Sequence, residues 1–80
     1  MKITKENINN LKEGDILYGK FNGKVVAKII TIIYEISDLE AKICKVDKKQ
    51  YYFKSLTKDG KADMRTKSID VLDSALTWFK

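Results

Sequence analysis

Lysines crowded into one segment are the residues of this chain with the clearest chemical meaning. The 80-residue sequence has a formal net charge of +5, and residues 41–61 hold seven lysines against two aspartates, which accounts for that charge. Three aromatic residues, Tyr51, Tyr52 and Phe53, lie among these lysines. Clustered cations with interleaved aromatic rings are typical of surfaces that bind anionic partners, nucleic acid above all.

Five lysines of this segment are predicted to contact phosphate groups, and one tyrosine is predicted to stack on a base. The predicted binding residues are Lys45, Lys48, Lys49, Tyr52, Lys54 and Lys58. Arg65 is the only arginine, and lysine lacks the planar fork that reads guanine edges, so we expect little base selectivity. The competing interpretation is that these lysines are solvated residues that keep a small protein soluble.

Groups that usually carry out catalysis or bind metals are scarce. The chain has no histidine and a single cysteine, Cys44, so the common general base and the usual zinc ligands are missing. Paired carboxylates occur at three places, and each pair is interpreted as turn or helix-start chemistry. The pairs are Asp38 and Glu40, Asp59 and Asp63, and Asp70 and Asp73. The sequence therefore predicts no enzyme activity, no cofactor and no metal site.

Trp78 is the second residue that could serve a partner. A tryptophan beside Phe79 near the end of the chain can pack on a sheet and fix the last element, or it can form an aromatic hot spot for another protein. Packing is the interpretation that the sequence favours, and a protein interface at Trp78 is the alternative.

Alternating apolar residues and turn signals predict a chain made mostly of strands. The predicted elements are a short helix over 4–13, strands over 15–21, 24–36, 40–46, 50–56 and 62–67, and an amphipathic helix over 69–79. They form one α+β domain over residues 1–80. Its five-stranded antiparallel meander is expected to close into a small SH3-like or OB-like barrel.

The turns set the predicted register. Asn22-Gly23 is typical of a type I′ hairpin turn, and Asp59-Gly60 is a second turn signal. With the first turn in place, the side of the sheet expected to form the core carries Ile16, Tyr18, Val25, Ala27 and Ile29. A turn at Lys48-Lys49 would direct Tyr51, Phe53 and Cys44 inward and Tyr52 outward.

Two functions fit these features. The first is a small non-enzymatic binding module that contacts nucleic-acid phosphates through the lysine-rich hairpin. The second is an inhibitor or adaptor that binds a nucleic-acid-handling protein. A phage or mobile-element origin would suit it, because the lysine-rich composition without proline indicates AT-rich coding. No leader and no membrane-spanning run is evident, so a cytoplasmic location is expected. The oligomeric state is left open.

Overall fold

A single antiparallel sheet forms the body of the protein. The structure, a computed structural model, describes residues 1–80. Its elements are a 3₁₀ turn Ile8–Asn10, strands β1 Ile16–Phe21, β2 Lys24–Glu35, β3 Lys49–Ser55, β4 Ile69–Asp70 and β5 Trp78–Phe79, and one helix, α1 Asp38–Cys44. The strand order is β4-β3-β2-β1-β5, and every neighbouring pair is antiparallel. The mostly-β, five-stranded prediction is confirmed. Closure into a barrel is not, because β4 and β5 form the two edges.

The first hairpin forms as its turn residues require. Asn22 and Gly23 have φ angles of 49° and 78°, and positive values at both positions define a type I′ turn. Phe21 pairs with Lys24, and the register continues unbroken along β1. Gly60, in the second predicted turn, also has a positive φ of 77°. The first turn and its register are confirmed.

In the first hairpin, the core lies on the side opposite to the predicted one. Eight side chains are buried: Ile8, Leu11, Leu17, Ile30, Tyr51, Phe53, Val71 and Trp78. Tyr18 and Val25, expected in the core, are instead 47% and 66% exposed. The predicted core face of the first hairpin is therefore wrong, whereas the inward orientation of Tyr51 and Phe53 is confirmed.

Trp78 determines which side is buried. Gly19 pairs with Trp78 across β1 and β5, and a β-carbon on Gly19 would lie 2.9 Å from the indole ring. The ring also meets Phe53 edge-on, with 4.6 Å between the ring centroids. With 3% of its surface exposed, Trp78 belongs to the core and is not presented to a partner in this structure.

The segment expected to form the third strand is a helix. Residues 40–46 were predicted to be extended, but α1 covers most of them. Ser37 caps α1, since its hydroxyl accepts a hydrogen bond from the Glu40 amide at 3.1 Å. Ser37 and Glu40 have the spacing of a capping box, a signal for the start of a helix. Lys45 ends the helix in the left-handed conformation, with φ 56°.

Helix α1 stands away from the sheet. None of its residues is buried, and its two large apolar residues, Leu39 and Ile43, are 67% and 69% exposed. Cys44 is exposed at the end of the helix and does not fill the core as predicted. At seven residues, α1 is short for a helix without tertiary packing. No helix of the structure is long and apolar enough to cross a membrane.

The predicted C-terminal helix over 69–79 is absent, and the short strands β4 and β5 occupy its two ends. Side chains between them bond to the local backbone. The Asp70 carboxylate accepts a hydrogen bond from the Leu72 amide at 2.8 Å, and the Ser74 hydroxyl accepts one from the Leu76 amide at 3.2 Å. Such short-range bonds favour turns over a helix. The helical spacing of the apolar residues therefore gave a wrong prediction for this segment.

The predicted fifth strand, 62–67, is reduced to one isolated bridge between Leu56 and Ala62. The segment then turns back along β3. There the Thr66 hydroxyl accepts a hydrogen bond from the Ser55 amide at 3.2 Å, in place of the carbonyl of a neighbouring strand. This side-chain bond satisfies the edge of β3 without extending the sheet.

The N-terminal helix predicted over 4–13 shrinks to the 3₁₀ turn Ile8–Asn10. The Asn7 side chain accepts a hydrogen bond from the Thr4 amide at 2.8 Å and donates one to the Lys2 carbonyl at 2.7 Å. Asparagine competes with helix formation through bonds of this kind. The segment still reaches the core, because Ile8 is buried.

The sheet surface away from the core is rich in large apolar side chains and is called the open face below. By register and alternation its large apolar residues are Ile16, Tyr18, Val25, Ile29, Ile32, Tyr34, Tyr52 and Phe79, and Lys20 and Lys54 lie on the same face. Five of these eight are between 43% and 66% exposed. Helix α1 does not pack against any strand, so no regular element covers the open face.

The close approach of Trp78 to Gly19 predicts that a single methyl group destabilises the fold. Gly19→Ala would force the indole ring away, and overpacking of this kind costs about 1–3 kcal/mol in the free energy of unfolding. Chemical denaturation measures the loss. Lys20→Ala, at the neighbouring exposed position, is the control and should change little; equal stability of Gly19→Ala and the unsubstituted protein would contradict the packing described.

Candidate anion-binding groove

The predicted binding lysines do not share one hairpin. Lys48 precedes β3 and Lys49 begins it, so the predicted two-residue turn at these positions is wrong. Lys54 lies five residues further along β3, which separates it from Lys49 by about 17 Å at the rise of an extended strand. The lysines therefore divide between two ends of the sheet.

Lys48 is already engaged by carboxylates. Its ammonium nitrogen lies 3.2 Å from an Asp38 carboxylate oxygen and 3.6 Å from one of Glu35. The hydrogen bond to Asp38, followed by the charges of Asp38 and Glu35, raises the pKa of Lys48. A phosphate at this position would compete with two carboxylates, and it would also be repelled by them.

Lys45 lines a cleft of mixed charge, called the acidic cleft below, of about 410 Å³. The charged residues of this cleft are Lys5, Lys45, Asp47, Asp70 and Asp73. Three carboxylates against two ammonium groups do not favour an anionic ligand. Burial, with smaller contributions from the charges of Asp73 and Asp47, raises the pKa of the Asp70 carboxyl group.

The remaining predicted residues are separate from one another. The Lys49 ammonium group lies 5.6 Å from the centre of the Tyr51 ring, within range of a cation–π contact. Lys58 is exposed in the turn that follows β3. Tyr52 lies on the open face, half-buried, as its predicted outward orientation requires, and its hydroxyl donates a hydrogen bond to the Gln50 side chain at 2.7 Å.

A second concave site, called the lysine groove below, lies at the other end of β3 and has no carboxylate in its lining. Its volume is about 290 Å³, and its lining residues are Lys28, Phe53, Lys54, Ser55, Thr66, Lys67 and Ile69. β2 supplies Lys28 and β3 supplies Ser55 directly opposite, whereas Thr66 and Lys67 come from the segment that precedes β4. The volume is close to the lower limit for small-molecule sites.

Two of the three groove lysines have only neutral hydrogen-bond partners. The Lys28 ammonium group donates to the Ser55 hydroxyl at 2.5 Å, and that of Lys54 donates to the Thr66 carbonyl. Both lysines are half-buried, and neither forms an ion pair. Each ammonium group has three N–H donors, so donors are left for a ligand. Removing a charge from water without a counter-charge is unfavourable, and an anion in the groove would relieve that cost.

Asp63 is a carboxylate close enough to the lysine groove for the charge of Lys54 to affect its pKa. A hydrogen bond from the Arg65 amide is the main cause of the lowered pKa of Asp63, and the charge of Lys54 contributes least. The carboxylate is held by Arg65, at 3.0 Å from the amide and 3.4 Å from the guanidinium Nε. It does not line the lysine groove.

Sequence reasoning found Lys54 but missed Lys28 and Lys67. Both lie outside the basic segment 41–61, so counting charge along the chain could not select them. The hairpin register did place Lys28 on a definite side of β2, and the missing information was which side is buried. Lys67 was predicted to end a strand over 62–67, whereas in the structure it lies in the segment before β4 and lines the lysine groove.

The raised pKa of Asp70 predicts that removing its charge stabilises the fold, by an amount that depends on pH. The neutral carboxyl is favoured in the folded state, so its stabilisation is fully present below the ordinary pKa of 3.8 and is lost as pH rises through the raised value. Asp70→Asn should therefore raise the melting temperature at pH 7 and leave it nearly unchanged near pH 3. Asp59→Asn makes the same charge change in an exposed turn and is the control. If its melting temperature rises as much as that of Asp70→Asn, the effect comes from net charge alone.

Comparisons with known proteins return no relative from which a role could be transferred. No protein-family model matches the chain. No curated protein and no solved structure matches it either. The function is therefore argued from the geometry of the lysine groove and of the sheet.

Proposed function

We propose that the protein is a small non-enzymatic module that binds nucleic acid through its phosphate backbone at the lysine groove. The observation that carries this proposal is the pair of half-buried ammonium groups, of Lys28 and Lys54, whose only hydrogen-bond partners are neutral. The third groove lysine, Lys67, adds a further positive charge at the same site. Backbone phosphates are the anions that such lysine sites commonly neutralise.

The chemistry of the lysine groove supports phosphate contact more than base reading. All three cations are lysines, which act as point charges and do not form the bidentate pairs that distinguish bases. The Ser55 hydroxyl accepts from Lys28 and keeps its own proton for donation to a phosphate oxygen. Binding with weak sequence preference is the expected behaviour of such a site.

Of the originally predicted contacts, Lys54 is retained at the centre of this proposal. Lys58 follows β3 in the next turn and could extend the backbone contact, whereas Lys45 and Lys48 lie beside carboxylates at the other end of β3. Stacking of a base on Tyr52 remains a separate prediction, because Tyr52 does not line the lysine groove.

The alternative function is an inhibitor or adaptor that binds a nucleic-acid-handling protein. In that case carboxylates of the target would take the place of phosphates at the lysine groove. A pull-down from host extract with and without nuclease separates the two functions. A single protein band that survives nuclease favours the alternative, and loss of all bound material favours direct nucleic-acid binding.

Salt dependence tests the proposed function on purified protein. Three lysine–phosphate contacts on a single strand predict a slope of log K against log salt of about −2.1, or about a 20-fold loss of affinity between roughly 50 and 200 mM salt. Lys28→Gln combined with Lys67→Gln leaves one contact and should reduce that loss to about threefold. Fluorescence anisotropy with a mixed-sequence oligonucleotide measures both.

Lys48→Gln is the matched control for Lys28→Gln alone, because it also removes one positive charge, from a lysine held by two carboxylates. It should leave the slope unchanged. Absence of oligonucleotide binding by the unsubstituted protein would refute the proposed function. An equal loss of slope in Lys48→Gln and in the groove variants would show that net charge, and not the lysine groove, governs binding.

A further inference from the structure

The open face contains a shallow site, called the aromatic hollow below, that the proposed function does not use. Its volume is about 240 Å³, and it is lined by Tyr18, Gly19, Lys20, Val25 and Phe79. Tyr18 and Phe79 lie directly opposite each other on β1 and β5, so their side chains are neighbours on one face of the sheet. Their exposed fractions are 47% and 43%. Two adjacent strands thus each present an accessible aromatic ring to the hollow.

The aromatic hollow also carries one positive charge. Lys20 is the only charged residue of its lining, and no carboxylate lines it. The side chain of Lys20 is exposed and forms no ion pair. Aromatic rings beside an ammonium group are complementary to a ligand that combines a planar ring with a negative charge. A nucleotide has both, in its base and its phosphate.

The aromatic hollow is better suited to a stacked base than Tyr52 is. Tyr52 pairs with Asp70 across β3 and β4, so a carboxylate lies beside it on the sheet. That carboxylate would repel the phosphate of a base stacked on Tyr52. Tyr18, in contrast, has Ala27 on one side and Phe79 on the other.

Lys54 connects the aromatic hollow to the lysine groove. Its register position, opposite Ile29, is on the open face, and its side chain lines the lysine groove. Tyr18 lies two strands away from Lys54 and two residues along, which places the two backbones about 12 Å apart. The positions between them, Ala27 and Ile29, are uncharged. Single-strand sites extend over about four nucleotides or more, so one strand can contact both sites.

We propose that the aromatic hollow binds an unpaired base of a nucleic-acid strand whose phosphates occupy the lysine groove. The partner is then single-stranded, because a base inside a duplex has to be unpaired and unstacked before its ring is free. Stacking tolerates every base, which agrees with the weak sequence preference expected of the lysine groove. This inference rests on the proposed function and adds a base contact to its phosphate contacts.

Two strands of equal length, one with bases and one abasic, test the inference by fluorescence anisotropy. Both carry the same phosphates, so the lysine groove can bind either, whereas only the strand with bases can fill the aromatic hollow. The strand with bases should bind at least about fivefold more tightly, the lower limit for one stacked base. Tyr18→Ala should bring its affinity close to that of the abasic strand.

Phe21→Ala is the matched control, because Phe21 is an aromatic residue of similar exposure, 57%, that does not line the aromatic hollow. It should retain the preference for the strand with bases. Tyr18→Leu keeps an apolar side chain without a ring, and it replaces Tyr18→Ala if the latter fails to fold. It should also lose the preference; full retention would show that any apolar contact suffices and would overturn the inference.

The inference and the proposed function fail in different ways. Equal affinity of the unsubstituted protein for the two strands would overturn the inference and leave the proposed function intact. Absence of binding to either strand would refute both. A preference for bases that survives Tyr18→Ala, or one that Phe21→Ala abolishes equally, would place the base contact outside the aromatic hollow and overturn the inference.

Discussion

The contact between the Trp78 indole and the bare backbone of Gly19 is the constraint on which the rest of the structure depends. A strand position without a side chain leaves a shallow space on one side of the sheet, and the largest side chain of the protein fills it. The indole also meets Phe53, so β1, β3 and β5 share one packing unit. Once this side is buried, strand alternation assigns every other residue of the central strands to the core or to the open face.

The same choice of side determines where charge can accumulate. With Leu17 and Ile30 turned inward, Lys28 lies at the margin of the core, opposite Ser55, and contributes to the lysine groove. At the far end of β3, Asp38 and Glu35 form ion pairs with Lys48, and Asp47 lines the acidic cleft together with Lys45. Of the basic segment 41–61, only Lys54 enters the lysine groove, whereas Lys45 and Lys48 lie beside carboxylates at the other end of β3.

Local signals in the sequence predicted local structure well. The Asn22-Gly23 turn and the register of the first hairpin follow from turn chemistry and alternation, and the structure has both. Tyr51 also lies inward, although the Lys48-Lys49 turn from which this was predicted is absent. The buried side of that hairpin could not be derived in this way, because both sides carry apolar residues and the decision depends on Trp78, far away in sequence. The capping box at Ser37 is the sequence signal for α1, whereas the alternation of apolar residues over 40–46 predicted a strand there.

Strand β5 also protects an edge. It pairs with β1 only at Tyr18 and Gly19, while a bridge from Lys2 to Phe79 and the bond from the Ile3 amide to the Trp78 carbonyl hold its other side. With so few bonds, this margin of the sheet is a natural place for local opening. Opening would uncover the free N–H and C=O groups of β1 together with an indole-sized apolar hollow. Resistance to aggregation therefore depends on how firmly two residues hold one edge.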